Sequence, residues 1–244
     1  MTAHNPGSAI LTRIVQRERD RLKVTLLQNL SQTPLIHRLL FRGASALHGV
    51  YLHERYSEDL DFFAASELAS TAVAAFGAAG LTLEERPDAV PVYVCRGAVH
   101  TRVELGVDVI AMHYPEESFL VPETATYRGI AGETATVRTY PLSALLARKL
   151  RYAMRRRFAV DFFDLWIGLE KRPECAPEMQ EIVRRRELGG AGGERYRAEG
   201  AVASFAGLEA TWHDELHALM PRVPDYETVR RDLTHWLPLF ESRG

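Results

Sequence analysis

The hydrophobic positions along the first part of the chain follow helical spacing in some segments and extended spacing in others. Between residues 11 and 30 the apolar side chains recur three or four positions apart, and charged residues occupy the other face. Shorter apolar runs follow, separated by Gly, Pro and Asp. These patterns predict helices over 11–30, 45–51 and 66–79, a strand or helix end over 35–41, and strands over 59–63, 81–85, 90–96 and 101–112.

After residue 115 the spacing of hydrophobic residues changes, first to short extended segments and then to helices. Residues 115–140 are rich in Pro, Thr and Gly and carry short strand signals over 124–130 and 134–137. From Pro141 onward helical spacing dominates, and it predicts helices over 142–158, 161–170 and 178–188, with two or three more up to Phe240. The chain is therefore expected to form a mixed α/β domain over 1–140 and a helical domain over 141–244.

Composition and charge narrow the class of protein. The 244 residues are 46% apolar and 25% charged, which is typical of a globular chain, and the net charge of −2 excludes a uniformly basic nucleic-acid-binding protein. Cys95 and Cys175 are too far apart in sequence for a zinc-type pair. Neither a signal-peptide pattern nor an apolar run of about 18 residues is present, so we expect a cytoplasmic protein without a membrane segment.

Two carboxylates form the first element of candidate chemistry. Asp59 and Asp61 flank Leu60 and lead into an apolar strand, so they share one face, about 7 Å apart at a rise of about 3.3 Å per residue. Carboxylates this close repel each other unless a positive charge lies between them. Magnesium prefers such oxygen ligands and completes its shell with waters and substrate phosphates. The pair therefore predicts a magnesium site.

A glycine turn supplies the second element. Gly43 precedes a predicted short helix, whose first N–H groups and positive dipole end suit a phosphate. Ser45 is positioned to cap that helix and to contact a phosphate oxygen. A phosphate-binding turn followed by paired metal ligands is typical of enzymes that transfer a nucleotidyl or phosphoryl group. In that reaction two metal ions hold the attacking and leaving oxygens.

Residues 42–62 resemble the signature of the AbiEii/AbiGii nucleotidyltransferase toxins, which include the MenT-type toxins and belong to the DNA polymerase β-like superfamily. That signature is a basic residue, a glycine pair, Thr or Ser and Ala-Leu, followed by Arg-aromatic-Ser-x-Asp-Leu-Asp-Phe. The chain has Ala44 where the family usually has the second glycine. It matches the signature at Arg42, Gly43, Ser45, Ala46, Leu47, Arg55, Tyr56, Ser57, Asp59, Leu60, Asp61 and Phe62.

The superfamily uses a third carboxylate on a neighbouring strand. Glu104 and Asp108 each lie between apolar residues and, four positions apart, share one side of a strand. The resemblance favours Glu104, with Asp108 as the alternative.

A second resemblance lies downstream, in a Leu-Ala-x-Lys-Leu helix and the helix that follows it. In the family the lysine of this motif lies near the nucleotide, which makes Lys149 a candidate triphosphate contact. The family's Arg-Asp pair is Val160-Asp161 here. Asp161 and Asp164 share a helix face, and they contact the nucleotide, orient Lys149 or cap a helix.

The helix that carries Lys149 is also the most basic segment of the chain. Its cationic face suits a polyanion such as a nucleoside triphosphate or RNA, and Tyr152 and Phe158 are candidates for stacking on a base. The cationic residues are Arg148, Lys149, Arg151, Arg155, Arg156 and Arg157.

The resemblance implies an α+β fold, with a polymerase-β-like nucleotidyltransferase mixed sheet, flanking helices and a helical C-terminal region. It also implies transfer of a nucleoside monophosphate from a nucleoside triphosphate to RNA, with the tRNA 3′ end favoured, and a cognate antitoxin as partner. Two Mg²⁺ ions would be held by Asp59, Asp61 and Glu104. The triphosphate would be held by Arg42, Gly43, Ser45 and Lys149, supported by Arg55, Ser57, Asp161 and Asp164.

Three alternatives fit the same motifs. One is a metal-dependent phosphohydrolase, although the sequence shows no histidine cluster that would activate water. An antibiotic-type nucleotidyltransferase would keep the metal ligands and take a small-molecule acceptor, although the basic helix argues against it. A catalytically silent nucleotide-binding or interaction module would account for Ala44 and Val160, although the intact Asp59 and Asp61 oppose it.

Overall fold

A computed structural model describes residues 6–64, 82–84, 92–96, 102–111, 119–189 and 196–241, with side chains over 14–64, 119–185 and 196–241. These residues form two compact units that separate between Thr139 and Tyr140, and residues 119–121 belong with the second unit. That each unit is an independent domain stays a prediction. The helix predicted over 66–79 lies outside the described residues.

Among the residues that the structure describes, the first unit contains one long helix and a mixed sheet. Helix α1 spans Pro6–Ser31, as its leucine spacing predicts. The strands are β1 Leu40–Arg42, β2 Leu60–Ala64, β3 Thr82–Glu84, β4 Val92–Arg96, β5 Arg102–Ala111, β6 Glu123–Arg128 and β7 Thr134–Thr139. They are arranged in the order β3-β4-β5-β2-β1-β7-β6. Strand β2 runs antiparallel to β1 and parallel to β5, and β1 runs parallel to β7.

Helix α1 is joined to the sheet by apolar packing and by one buried carboxylate. It contacts β7, and its leucines Leu26, Leu27 and Leu30 are buried. Asp20, also buried, accepts hydrogen bonds from the Tyr127 hydroxyl at 3.1 Å and from the main-chain N–H of Ile130 at 2.6 Å. Because buried polar groups are costly unless paired, these bonds fix α1 against the β6–β7 hairpin.

A helical connection joins β1 to β2 and replaces the short helix predicted over 45–51. It begins as α2, Gly43–Ala46, and continues as a π-helical segment, Leu47–Leu52. A β-carbon on Gly49 would lie 2.1 Å from the Tyr127 ring, so only glycine lets this segment approach β6. His53 ends the segment with a left-handed φ of 57°.

The second unit is helical around an aromatic cluster. The Phe205 ring lies 5.1 Å from Phe162, 5.5 Å from Trp212 and 4.9 Å from Tyr226. Helix α3 ends before the predicted residue 158 because Arg157 takes a left-handed φ of 55°. The helices are α3 Leu142–Arg156, α4 Ala159–Lys171, α5 Ala176–Gly189, α6 Ala198–Ala206, α7 Trp212–Leu216 and α8 Tyr226–Trp236.

The α+β architecture predicted from the sequence is confirmed. Sheet and helices are ordered along the chain as the hydrophobic spacing indicates, and 3₁₀ turns follow α1 and α8. Across the part of the chain that is described, none of the helices combines the length and the apolar character needed to span a bilayer.

Candidate active site

The predicted phosphate turn lies in contact with one of the predicted metal ligands, Asp61. Arg42, the last residue of β1, is the antiparallel partner of Asp61 on β2. The chain then turns at Gly43, whose φ is 74°, and enters α2. A β-carbon on Gly43 would lie 1.9 Å from the Asp61 Oδ2 atom. Only glycine allows the helical connection to begin directly against the Asp61 carboxylate.

Asp61 lies in β2, and Asp59 lies directly before that strand. Asp59 is exposed, whereas Asp61 is half-buried. Desolvation by the surrounding protein, followed by the negative charge of Asp61, raises the pKa of Asp59 above its usual value, and Lys23 opposes this shift. Mutual repulsion between carboxylates is relieved by a bound cation, so the pair has the donor chemistry that a divalent metal requires.

The sheet register distinguishes between the two candidates for a third carboxylate. Strand β5 lies parallel to β2, and Asp108 is the register partner of Asp61. Glu104 lies earlier on β5, opposite Val94 of β4 and before the stretch of β5 that pairs with β2. The backbone therefore brings Asp108 beside Asp61, and it places Glu104 away from that point.

Ser45 faces the segment that leads to Asp59. Its side chain is buried, and its hydroxyl donates to the main-chain oxygen of Asp59 and lies 2.9 Å from the Ser57 Oγ atom. The expected helix cap is not formed: Arg42 occupies the N-cap position, and no side-chain capping bond is present there. A contact between Ser45 and a phosphate stays a prediction.

Lys23 is a functional candidate that the sequence did not reveal. It is 1% exposed, and its ammonium donates to the Ser45 Oγ atom at 3.0 Å and to the main-chain oxygen of Ser57. Burial lowers the pKa of Lys23 to about 7, although the negative charges of Asp20 and Asp59 act in the opposite direction. The available signal was its spacing, since a lysine three, four and seven residues before core leucines lies on the buried helix face.

The two predicted arginines of the site have different surroundings. The Arg42 guanidinium is buried and stacks 4.3 Å above the Phe63 ring. Within the described residues its Nε and Nη1 atoms have no hydrogen-bond acceptor, so an anion would satisfy two costly buried donors. Arg55 donates to the main-chain oxygen of Tyr56 at 2.8 Å and shapes the segment before Asp59.

Lys149 lies in the second unit within a buried ion cluster. Its ammonium is 2.8 Å from Asp161 Oδ1 and 2.7 Å from Asp164 Oδ2, and both aspartates are on α4. This geometry supports the hypothesis that the aspartates orient Lys149. Its contact with a triphosphate stays a prediction.

The basic helix α3 presents only part of its charge to solvent. Arg148 is buried and donates to the Tyr152 hydroxyl at 3.1 Å, while Arg156 stacks 4.2 Å above the Tyr152 ring. The three arginines at the end of the helix, residues 155–157, are exposed. Phe158 follows them and is 51% exposed, so this end of α3 offers both charge and an aromatic face.

We expect Gly43→Ala to destabilise the protein by about 2–4 kcal/mol, because it adds positive-φ strain and a collision with Asp61. Gly132→Ala is the matched control: Gly132 has a φ of 95°, and a β-carbon added there would meet nothing within 4 Å. It should cost only about 1 kcal/mol. Denaturant unfolding measures both values, and equal losses would contradict the contact with Asp61.

We expect the free energy of unfolding to rise between pH 7 and pH 9 because of Lys23. Its pKa is lowered in the folded state to about 7, so the unfolded chain binds more protons over this range. The slope is at most about 1.4 kcal/mol per pH unit for one proton. Denaturant titrations of the wild type and Lys23→Met measure the difference, and an identical slope in both proteins would refute the assignment.

Comparison with known proteins identifies the family to which this chain belongs. The family model described as nucleotidyl transferase AbiEii toxin, type IV TA system, matches residues 25–235. No curated protein matches the sequence.

Several solved structures match this chain. JHP933 from Helicobacter pylori superposes with a TM-score of 0.54 at 18% identity, covering 92% of this chain and 91% of that one, which is a similarity of fold. An antigenic nucleotidyltransferase-like protein from Paracoccidioides brasiliensis gives a TM-score of 0.38 at 16% identity, covering 80% and 90%, which is too low to establish a shared fold. Because the family match extends over residues 25–235, the chain belongs to the AbiEii family, the nucleotidyltransferase toxins of type IV toxin–antitoxin systems.

Proposed function

We propose that this nucleotidyltransferase is a metal-dependent toxin that transfers a nucleoside monophosphate from a nucleoside triphosphate to RNA, with the tRNA 3′ end as the favoured acceptor. The observation that carries the proposal is the contact between Gly43 and Asp61. A turn with the chemistry to bind phosphate and a carboxylate with the chemistry to bind metal touch each other. A metal-bound triphosphate requires both at one place.

Asp59 and Asp61 would hold two Mg²⁺ ions together with a third carboxylate, and the register with Asp61 favours Asp108 over Glu104. Two carboxylates close together in sequence supply the oxygen donors that a divalent cation binds. When bound, the metal supplies charge neutralisation for the triphosphate and polarisation of its α-phosphate. The protein's own part is to fix Asp59 and Asp61 around the start of β2 and the third carboxylate on β5.

The phosphates would meet the main-chain N–H groups at the Gly43 turn and the buried guanidinium of Arg42. Arg42 is suited to this role because its Nε and Nη1 atoms lack acceptors among the described residues and its plane is fixed against Phe63. Ser45, Ser57 and Arg55 would support the turn and the segment before Asp59. Lys149, oriented by Asp161 and Asp164, is a further proposed triphosphate contact.

The RNA acceptor is supported by the exposed end of α3. Arginines 155–157 form a cationic surface, and Phe158 beside them is half exposed. Cationic side chains next to an exposed aromatic ring are typical of single-stranded nucleic-acid binding, such as a tRNA 3′ end presents. A small-molecule acceptor would need no such surface. The type IV toxin–antitoxin family also implies a cognate antitoxin as a partner.

We expect the purified protein to transfer label from at least one α-labelled nucleoside triphosphate to tRNA-sized molecules in total RNA, in the presence of Mg²⁺. Asp59→Ala and Asp61→Ala should lower the rate by about a hundredfold or more, because each removes a metal ligand. Gel electrophoresis of the labelled RNA measures the rate.

Gly132→Ala is the control variant for this assay, since it carries positive-φ strain in open space. It should transfer label at the wild-type rate. Triphosphate binding without labelling of any RNA would contradict the RNA acceptor and favour the small-molecule transferase or the silent binding module.

The choice of third carboxylate is tested by two isosteric variants on β5. We expect Asp108→Asn to lower the transfer rate by about a hundredfold, and Glu104→Gln to stay within about threefold of the wild type, because only Asp108 pairs in register with Asp61. The rate of labelled transfer measures both. The opposite order of effects would assign the metal to Glu104.

A further inference from the structure

Two residues of helix α1, Arg19 and Lys23, contact the segment that precedes Asp59. The Arg19 Nη1 atom lies 3.0 Å from Glu58 Oε1, and the Lys23 ammonium donates to the main-chain oxygen of Ser57. The same ammonium lies 5.1 Å from the centre of the Tyr56 ring. Arg19 and Lys23 are one helical turn apart, so a single face of α1 supports residues 56–58.

Lys23 also reaches the Gly43 turn. Its ammonium donates to the Ser45 hydroxyl at 3.0 Å, and that hydroxyl donates to the main-chain oxygen of Asp59. Ser45 lies in α2, whose first residue is Gly43. A short series of hydrogen bonds therefore joins α1, the start of α2 and the backbone of Asp59.

The energetics suggest that this arrangement serves more than stability. A lysine that is 1% exposed has lost its hydration, whereas an apolar side chain at this position would pack without that cost. Within the described residues, the hydrogen bonds of its ammonium lead to Ser45 in the helical connection and to Ser57, two residues before Asp59. A costly buried charge whose contacts converge on one segment is better explained by positioning that segment than by holding the core together.

We propose that Lys23 is a positioning residue, which holds Ser45 and the main chain of Ser57 so that Asp59 and the Gly43 turn are presented together to the metal and the triphosphate. This inference rests on the proposed function, since it takes Asp59 as a metal ligand. Lys23 itself would contact neither the metal nor the nucleotide.

The test is Mn²⁺ binding to the full chain, measured by electron paramagnetic resonance of free Mn²⁺, in the wild type and in Lys23→Met. Methionine is also unbranched and is one heavy atom shorter than lysine, so it keeps most of the buried stem and removes the ammonium. We expect the Kd for Mn²⁺ to rise at least tenfold, while the Tm stays equal or rises because a buried amine has been removed. In the transfer assay, the Mn²⁺ concentration for half-maximal rate should rise by the same factor.

Two further variants make the result specific. Tyr127→Phe removes the hydrogen bond to Asp20 on the same helix and leaves the Lys23 contacts intact, so it should lower the Tm and leave the Kd for Mn²⁺ unchanged. Ser45→Ala removes the hydroxyl that joins Lys23 to Asp59, and it should weaken Mn²⁺ binding in the same direction. If Lys23→Met does not fold, Ser45→Ala carries the test.

A wild-type Kd in folded Lys23→Met, or in Ser45→Ala where Lys23→Met does not fold, would overturn the positioning role and leave the proposed function standing. An unchanged Kd in Asp59→Ala, or no Mn²⁺ binding by the wild type, would overturn the proposed metal site and this inference with it.

Discussion

The structure of the first unit depends on the absence of a side chain at residue 43. Gly43 lies directly against the Asp61 carboxylate, in a backbone conformation that other residues adopt only with strain. At this residue the chain must turn from β1 into the helical connection. It must also make this turn in contact with the Asp61 side chain of β2. A larger residue would have to displace either the turn or the carboxylate.

Helix α1 contacts the segment that precedes Asp59. Apolar packing and the Asp20–Tyr127 hydrogen bond hold that helix on the sheet, and Arg19 and Lys23 then contact the segment before Asp59. The protein accepts a buried amine at the centre of this support. A buried charge contributes little to the free energy of unfolding. Its presence is better explained by a role in fixing the position of a neighbouring polar segment.

Local patterns were sufficient to predict much of this arrangement. The glycine before an apolar helix predicts the turn, and leucine spacing predicts α1. Period-two alternation predicts Asp59 and Asp61 on one strand face, whereas β2 begins at Leu60 and Asp59 lies directly before it. The contacts of Lys23 span 22 and 34 residues of sequence and depend on how α1 lies against the sheet, which no local pattern encodes. The preference for Glu104 rested on resemblance, whereas strand register, another long-range property, favours Asp108. The hydroxyl of Ser45 was predicted to cap a helix, but it bonds to the Asp59 backbone instead.

We propose that the Gly43 turn and the Asp59–Asp61 pair together bind one metal-bound triphosphate. Crystallography of the protein with Mn²⁺ and a non-hydrolysable nucleoside triphosphate tests this most directly, because the anomalous signal of manganese locates the metal. We expect manganese coordinated by Asp59 and Asp61, with the phosphates over the main chain of Gly43. Manganese and nucleotide bound elsewhere, with Asp59 and Asp61 free of metal, would contradict it.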